Sequence, residues 1–253
     1  MEKLTDFSFS GPLGTIECIV EPNRSRRDAV LIMAHGFRGS REGGGRAAGV
    51  AYQAACCCDV VRFNFTGTRI LSQQVEELRA VIDEVFRRRP QCEIYLLGRS
   101  LGGAAAIVTA GQDKRVRRLL LWAAPNDLRF TFRYVMGAAD YARLDAGETL
   151  FFDDERGRCE LTPDFLTDFD KHDLTAILSA WDGRPVLLLH CLGDEVVLAR
   201  QAQRNAELLG AAGSLHLFPG GDHSFSDYSV KAGALIAAWL AQEQGKSLTG
   251  RRR

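Results

Sequence analysis

Glu93-Ile94-Tyr95-Leu96-Leu97-Gly98-Arg99-Ser100-Leu101-Gly102-Gly103-Ala104-Ala105-Ala106 runs from an apolar, strand-like stretch straight into an alanine-rich, helix-like one. Residues 98–102 match the pattern Gly-x-Ser-x-Gly. That match is weak alone and strong between a strand and a helix. A strand that turns directly into a helix places Ser100 in a strained conformation, and glycines on either side let the backbone and the helix approach closely. The hydroxyl then stands at a helix N-terminus, where the Leu101 N–H can stabilise an oxyanion.

Outward from this turn, strand-length apolar runs alternate with segments of helical period. Toward the N-terminus lie a strand at 29–34 that ends in His35-Gly36, a helix at 45–57, a strand at 60–65 and a helix at 72–88 stopped by Pro90. Toward the C-terminus come a helix at 101–110, a strand at 116–122, a strand at 185–190, a helix at 197–209, a strand at 214–218 and a helix at 227–242. Alternation of this kind predicts an α/β protein, with a mainly parallel central sheet and helices on both faces. Residues 7–9 and 15–20, around Gly11-Pro12-Leu13-Gly14, read as an antiparallel hairpin at the sheet edge.

Length and charge narrow the function. The 253 residues balance 32 Lys+Arg against 32 Asp+Glu, and 46% are hydrophobic. Zero net charge argues against nucleic acid as partner. No apolar run approaches a membrane span, and Met1-Glu2-Lys3-Leu4-Thr5-Asp6 opens without an apolar signal region. The seven cysteines, at 18, 56, 57, 58, 92, 159 and 191, form no Cys-x-x-Cys pair. They read as buried apolar groups in a reducing, cytoplasmic setting, with no metal site. The Arg251-Arg252-Arg253 tail reads as a solvated end. Sequence leaves open whether the chain is a monomer or a homodimer.

The alternation breaks at 126–182, which is too long for an ordinary connection. Nine of the chain's 22 aromatic residues lie in these 57 positions, with 13 acidic against 6 basic residues. The expectation is a cap or lid inserted into a core of 1–125 and 183–253, with Phe130, Phe132, Tyr134, Phe151 and Phe152 lining a substrate pocket. The plainer alternative is an excursion that buries only its own aromatics.

A serine needs a base, and the base an orienting carboxylate. Among five histidines, His223 in Gly220-Gly221-Asp222-His223-Ser224-Phe225 follows the last strand and can reach across the sheet's carboxyl edge. His35 reads as a turn residue, His190 and His216 as structural, and His172 as part of the inserted segment. For the acid, Asp182, Asp194, Glu195 and Asp222 compete. Asp194, in the turn after Gly193, fits best, and Glu195 is its serious rival. The order Ser100, Asp194, His223 is that of a hydrolase triad. A second oxyanion donor fits the Phe37 N–H in His35-Gly36-Phe37-Arg38-Gly39.

At these residues the sequence resembles the α/β-hydrolase superfamily over nearly its whole length. The His-Gly-Phe loop, the inserted segment and the size look like single-domain acyl esterases of the cinnamoyl/feruloyl type. The resemblance implies the α/β-hydrolase fold and hydrolysis of small to medium acyl or aryl carboxylic esters through an acyl-enzyme, without cofactor. It carries over Ser100, Asp194 and His223 as triad, and Phe37 and Leu101 as oxyanion donors. The same triad also serves acyl-thioester and small-peptide hydrolysis, and a hydrolase-like fold can be a non-catalytic binding module.

Overall fold

The computed structural model describes residues 4–250 apart from 26, 68, 155 and 156, with side chains described as far as 242 except that of 154. The tail at 251–253 lies outside the described residues. The strands among the described residues are β1 (Phe7–Ser10), β2 (Thr15–Glu21), β3 (Ala29–Ala34), β4 (Asp59–Phe63), β5 (Glu93–Arg99), β6 (Val116–Trp122), β7 (Leu150–Asp154), β8 (Gly157–Leu161), β9 (Val186–Cys191) and β10 (Gly213–Phe218). Eight of them form one sheet in the order β1-β2-β4-β3-β5-β6-β9-β10. β1 and β2 are the antiparallel edge hairpin, β2 runs antiparallel to β4, and the remaining pairs are parallel.

The helices are α1 (Arg46–Ala54), α2 (Leu71–Arg88), α3 (Leu101–Gln112), α4 (Leu128–Met136), α5 (Ala138–Asp145), α6 (Asp164–Thr167), α7 (Leu174–Ser179), α8 (Ala199–Leu209) and α9 (Ser229–Gly250). Because side chains alternate across a strand, the sheet feeds two cores. Leu31, Met33, Tyr95, Leu97, Trp122 and Leu189 pack with residues of α1 and α9. Val30, Ile32, Leu96, Leu121, Val186 and Leu188 pack with residues of α2 and α3. Burial on both faces explains why these strands read as continuous apolar runs.

The excursion at 126–182 contains α4, α5, the antiparallel β7–β8 hairpin, α6 and α7. It is tied down at several points. Gln201 Oε1 accepts the N–H groups of Asn126 and Asp127, both at 2.9 Å, and Gln201 Nε2 donates to Thr131 Oγ1 at 2.8 Å. At the other side, the buried Asp168 accepts from Ser72 N at 2.7 Å and Ser72 Oγ at 2.8 Å. It thus caps the start of α2 from 96 residues away. α7 lies against α3 and α8, in the helical layer of the core.

Candidate active site

Ser100 sits where the central strand β5 becomes α3. Its backbone has φ 53° and ψ −125°, a conformation that a non-glycine residue keeps only when its surroundings enforce it. The enforcement is visible. Ser100 N–H donates to Trp122 O at 3.0 Å on the neighbouring strand, and Gly103 N–H donates to Ser100 O at 2.8 Å. A Cβ on Gly98 would stand 2.3 Å from Gly102 O, and one on Gly102 would stand 2.3 Å from His35 O. No side chain fits at either place, so the strand, the turn and the β3 loop can pack this closely only around glycine.

Parallel pairing brings the other loops to the same edge of the sheet. β3 adjoins β5, which sets the loop after β3 beside Ser100. A Cβ on Gly36 would be 2.8 Å from Ser100 Cβ. His35 fixes this loop, as its Nδ1 donates to Gly36 O at 2.9 Å and its Nε2 accepts the Phe65 N–H at 3.2 Å. Burial pushes the pKa of His35 down, which keeps the ring in the neutral form that this donor–acceptor pair requires. The turn role expected for His35 is therefore a bridge between the ends of β3 and β4.

β9 and β10 deliver the remaining groups. Asp194 follows β9 and His223 follows β10. His223 Nε2 accepts from Ser100 Oγ at 3.0 Å, while its Nδ1 donates to Asp194 Oδ2 at 2.9 Å and Oδ1 at 3.0 Å. The structure thus brings Ser100, His223 and Asp194 into one hydrogen-bonded line. Asp194 Oδ1 also accepts the N–H groups of Val196 and Val197, at 2.9 and 2.8 Å. Burial by itself would raise the Asp194 pKa. Hydrogen bonds from His190 and His223 outweigh it and hold the carboxyl well below the usual range.

The competing carboxylates have other partners. Glu195 accepts the His223 backbone N–H, Asp222 accepts from Ser226 N and Oγ, and Asp182 pairs with Lys114 and Arg184. Sequence reasoning missed His190. Fully buried, its Nε2–H faces both Val197 O at 2.7 Å and Asp194 Oδ2 at 3.1 Å. Asp194 therefore stands between two histidines. His190 lies four residues before Asp194, but nothing in the strand pattern separates it from an ordinary core residue. Arg99 adds a further clamp, donating from Nη2 to His223 O at 3.0 Å.

The five aromatics expected to line a substrate pocket stand outside the wall of the cavity nearest Ser100. A cavity of about 530 Å³ adjoins the site. Its wall is built by the loop after β3, the start of α1, Arg99, Trp122 and Ser224, and includes none of the five. Phe132 is buried in a cluster with Phe37, Phe165 and Phe169, at ring-centroid distances of 5.6, 4.7 and 5.3 Å. Phe130 stacks on Tyr134 at 6.1 Å and carries Arg200 on its ring. Phe151 and Phe152 are exposed on the hairpin, the latter under the Arg38 guanidinium at 5.5 Å. The excursion spends most of its aromatics on its own packing and on holding the Phe37 ring.

Six of the cysteines are buried and Cys56 is exposed. No group of three or more His, Cys, Asp or Glu among the described residues could hold a metal ion. No helix among them is long and apolar enough to cross a membrane.

No protein-family model and no curated protein matches the chain in sequence. Solved structures match it along nearly all its length. Est1E from Butyrivibrio proteoclasticus superposes with a TM-score of 0.82 at 15% identity, covering 96% of this chain and 100% of that one. The esterase domain of a Rhodothermus marinus protein gives 0.74 at 20% identity, covering 96% and 99%. An alpha-beta serine hydrolase homologue from Coxiella burnetii gives 0.68 at 20% identity, covering 95% and 99%. Together with the sheet order, these likenesses show that the chain has the α/β-hydrolase fold.

Proposed function

We propose that this chain is a serine hydrolase that cleaves carboxylic esters of small to medium acyl or aryl groups through an acyl-enzyme. The observation that carries the reading is the line from Ser100 Oγ through His223 to Asp194, with contacts of 3.0 and 2.9 Å, set on a strained turn. His223 Nε2 takes the Ser100 proton as Oγ attacks the ester carbonyl. Asp194 keeps the proton on Nδ1 and stabilises the imidazolium. The N–H groups of Phe37 and Leu101 receive the oxyanion, in a loop that only a glycine at 36 lets close on Ser100. His223 then protonates the departing alcohol, and a water activated by the same Nε2 releases the acid and restores Ser100. The named esterases among the similar structures support the reaction class, and the ferulic acid bound to Est1E supports aryl acids among the acyl groups to be tried.

Active-site labelling tests the reading. A fluorophosphonate should add one adduct to the intact mass of the wild type and none to Ser100→Ala, and Ser100→Ala should lose about 10³-fold or more in turnover of aryl esters. Equal labelling of both proteins would refute it. A series of aryl esters and acyl-thioesters of rising chain length then ranks the leaving groups.

A further inference from the structure

The 530 Å³ cavity is unusual in its charge. Arg38, Arg41, Arg46 and Arg99 contribute to its wall, and no carboxylate does. Its base is apolar, formed by Met33, Leu97 and Trp122. Its wall also touches the loops that carry Ser100, His223 and the Gly36-Phe37 pair. Arg99 precedes Ser100, Ser224 follows His223, and His35 and Arg38 flank the Gly36-Phe37 pair.

Three further observations give the cavity a preference for negative charge. The start of α1 lines it through Arg46 and Ala47, and the first turn of that helix holds neither an acidic residue nor a side-chain cap. Arg46 N–H already donates to Gly43 O, and the rest of this positive end, with no side chain to cap it, favours an anion nearby. Trp122 is 1% exposed, and its indole Nε1–H has no hydrogen-bond partner among the described residues. An indole only donates, so the group that satisfies it is an acceptor. The competing acids are weakly placed. Arg46 hydrogen-bonds to the neutral Ser226 Oγ, at 3.2 Å, and meets the Asp222 carboxylate by charge attraction without a direct bond among those described. Arg41 pairs with Glu17 and Glu42 at 3.6 and 3.8 Å, and both carboxylates are more than half exposed, where such pairs are weak and screened. Asp222 spends its oxygens on Ser226.

We infer that this cavity binds an oxyanion group, a carboxylate or a phosphate, on the substrate that Ser100 attacks. The substrate is then an ester with a negatively charged end, its apolar middle over Met33, Leu97 and Trp122 and its charge among the guanidiniums. Planar guanidinium forks match either oxyanion. This assignment rests on the hydrolase reading for its chemistry, although the binding site itself does not.

Three 4-nitrophenyl esters of matched chain length test it, one ending in a carboxylate, one in a phosphate and one in a neutral methyl ester. At least one charged ester should exceed the neutral one about tenfold or more in kcat/KM at low salt. The margin should shrink as salt is raised, and should shrink severalfold in Arg46→Gln and, independently, in Trp122→Phe. The preferred end group names the oxyanion. Calorimetry on Ser100→Ala repeats the comparison without turnover, and the charged ester should again bind more tightly. Turnover of all three esters with no preference for charge overturns the inference and leaves the hydrolase reading intact. Tighter binding of the charged ester without turnover or labelling of the wild type does the reverse.

Discussion

Glu195 Oε2 accepts the backbone N–H of His223 at 3.0 Å, while the adjacent Asp194 accepts from the ring of the same residue. One carboxylate positions the loop and the next orients the imidazole. Asp194→Asn should therefore keep the fold and lower kcat by up to about 10⁴, because an amide no longer fixes the tautomer. Glu195→Gln retains an acceptor for the N–H and should cost roughly tenfold or less. Steady-state kinetics on one aryl ester decides between them, and the reverse ranking would assign the orienting role to Glu195.

His190 should behave as a positioning residue. His190→Leu removes a donor from Asp194 and from Val197 O, and should lower kcat by about 10-fold or more with KM little changed, as is common for groups that hold a catalytic ligand in place. His190→Gln should recover part of the loss. Parallel loss of kcat and thermal stability, without rescue by Gln, would reduce His190 to a packing role.

Acid should weaken the fold partly through Asp194. Its carboxyl is held below the ordinary range despite burial, and below its unfolded value of about 3.9. Such a group adds stability above the unfolded pKa and loses it as pH falls through the folded one. Urea midpoints measured from pH 5 down to pH 2 should fall more steeply in the wild type than in Asp194→Asn. Parallel curves would show that the carboxyl is not depressed.

Phe132 is 8% exposed and touches Phe37, so its truncation should act on the whole loop and not on chain-length selection. Phe132→Ala should cost about 3–5 kcal/mol, as large-to-small core changes do, and lower kcat/KM by the same factor for short and long acyl groups. A change in the ratio between those groups would return Phe132 to the substrate pocket.

The turn at Ser100 was readable because its causes are local. Gly98 and Gly102 must be glycine where a strand enters a helix this tightly. The sheet was readable from two-faced burial, and the edge hairpin from Gly11-Pro12-Leu13-Gly14. The aromatics of 126–182 could not be placed from sequence, because composition counts rings without saying whether they face one another, as Phe132, Phe165 and Phe169 do. The cavity was invisible for a related reason. Arg38, Arg41, Arg46 and Arg99 look like scattered surface charges until β3 and β5 pair and the glycines at 43, 44 and 45, all at positive φ, fold the loop around them.

β10 is an edge strand, paired among the described residues only with β9 and with alternate residues exposed, and His223 follows its end. Edges open before centres do, because fewer contacts must break. Hydrolytic competence should therefore disappear in a subglobal opening, with β10 amides exchanging hydrogen faster than those of β5, while the turn that strains Ser100 stays folded. Mild denaturant should silence the catalyst before it unfolds the protein, and on return the base should be the last part to dock.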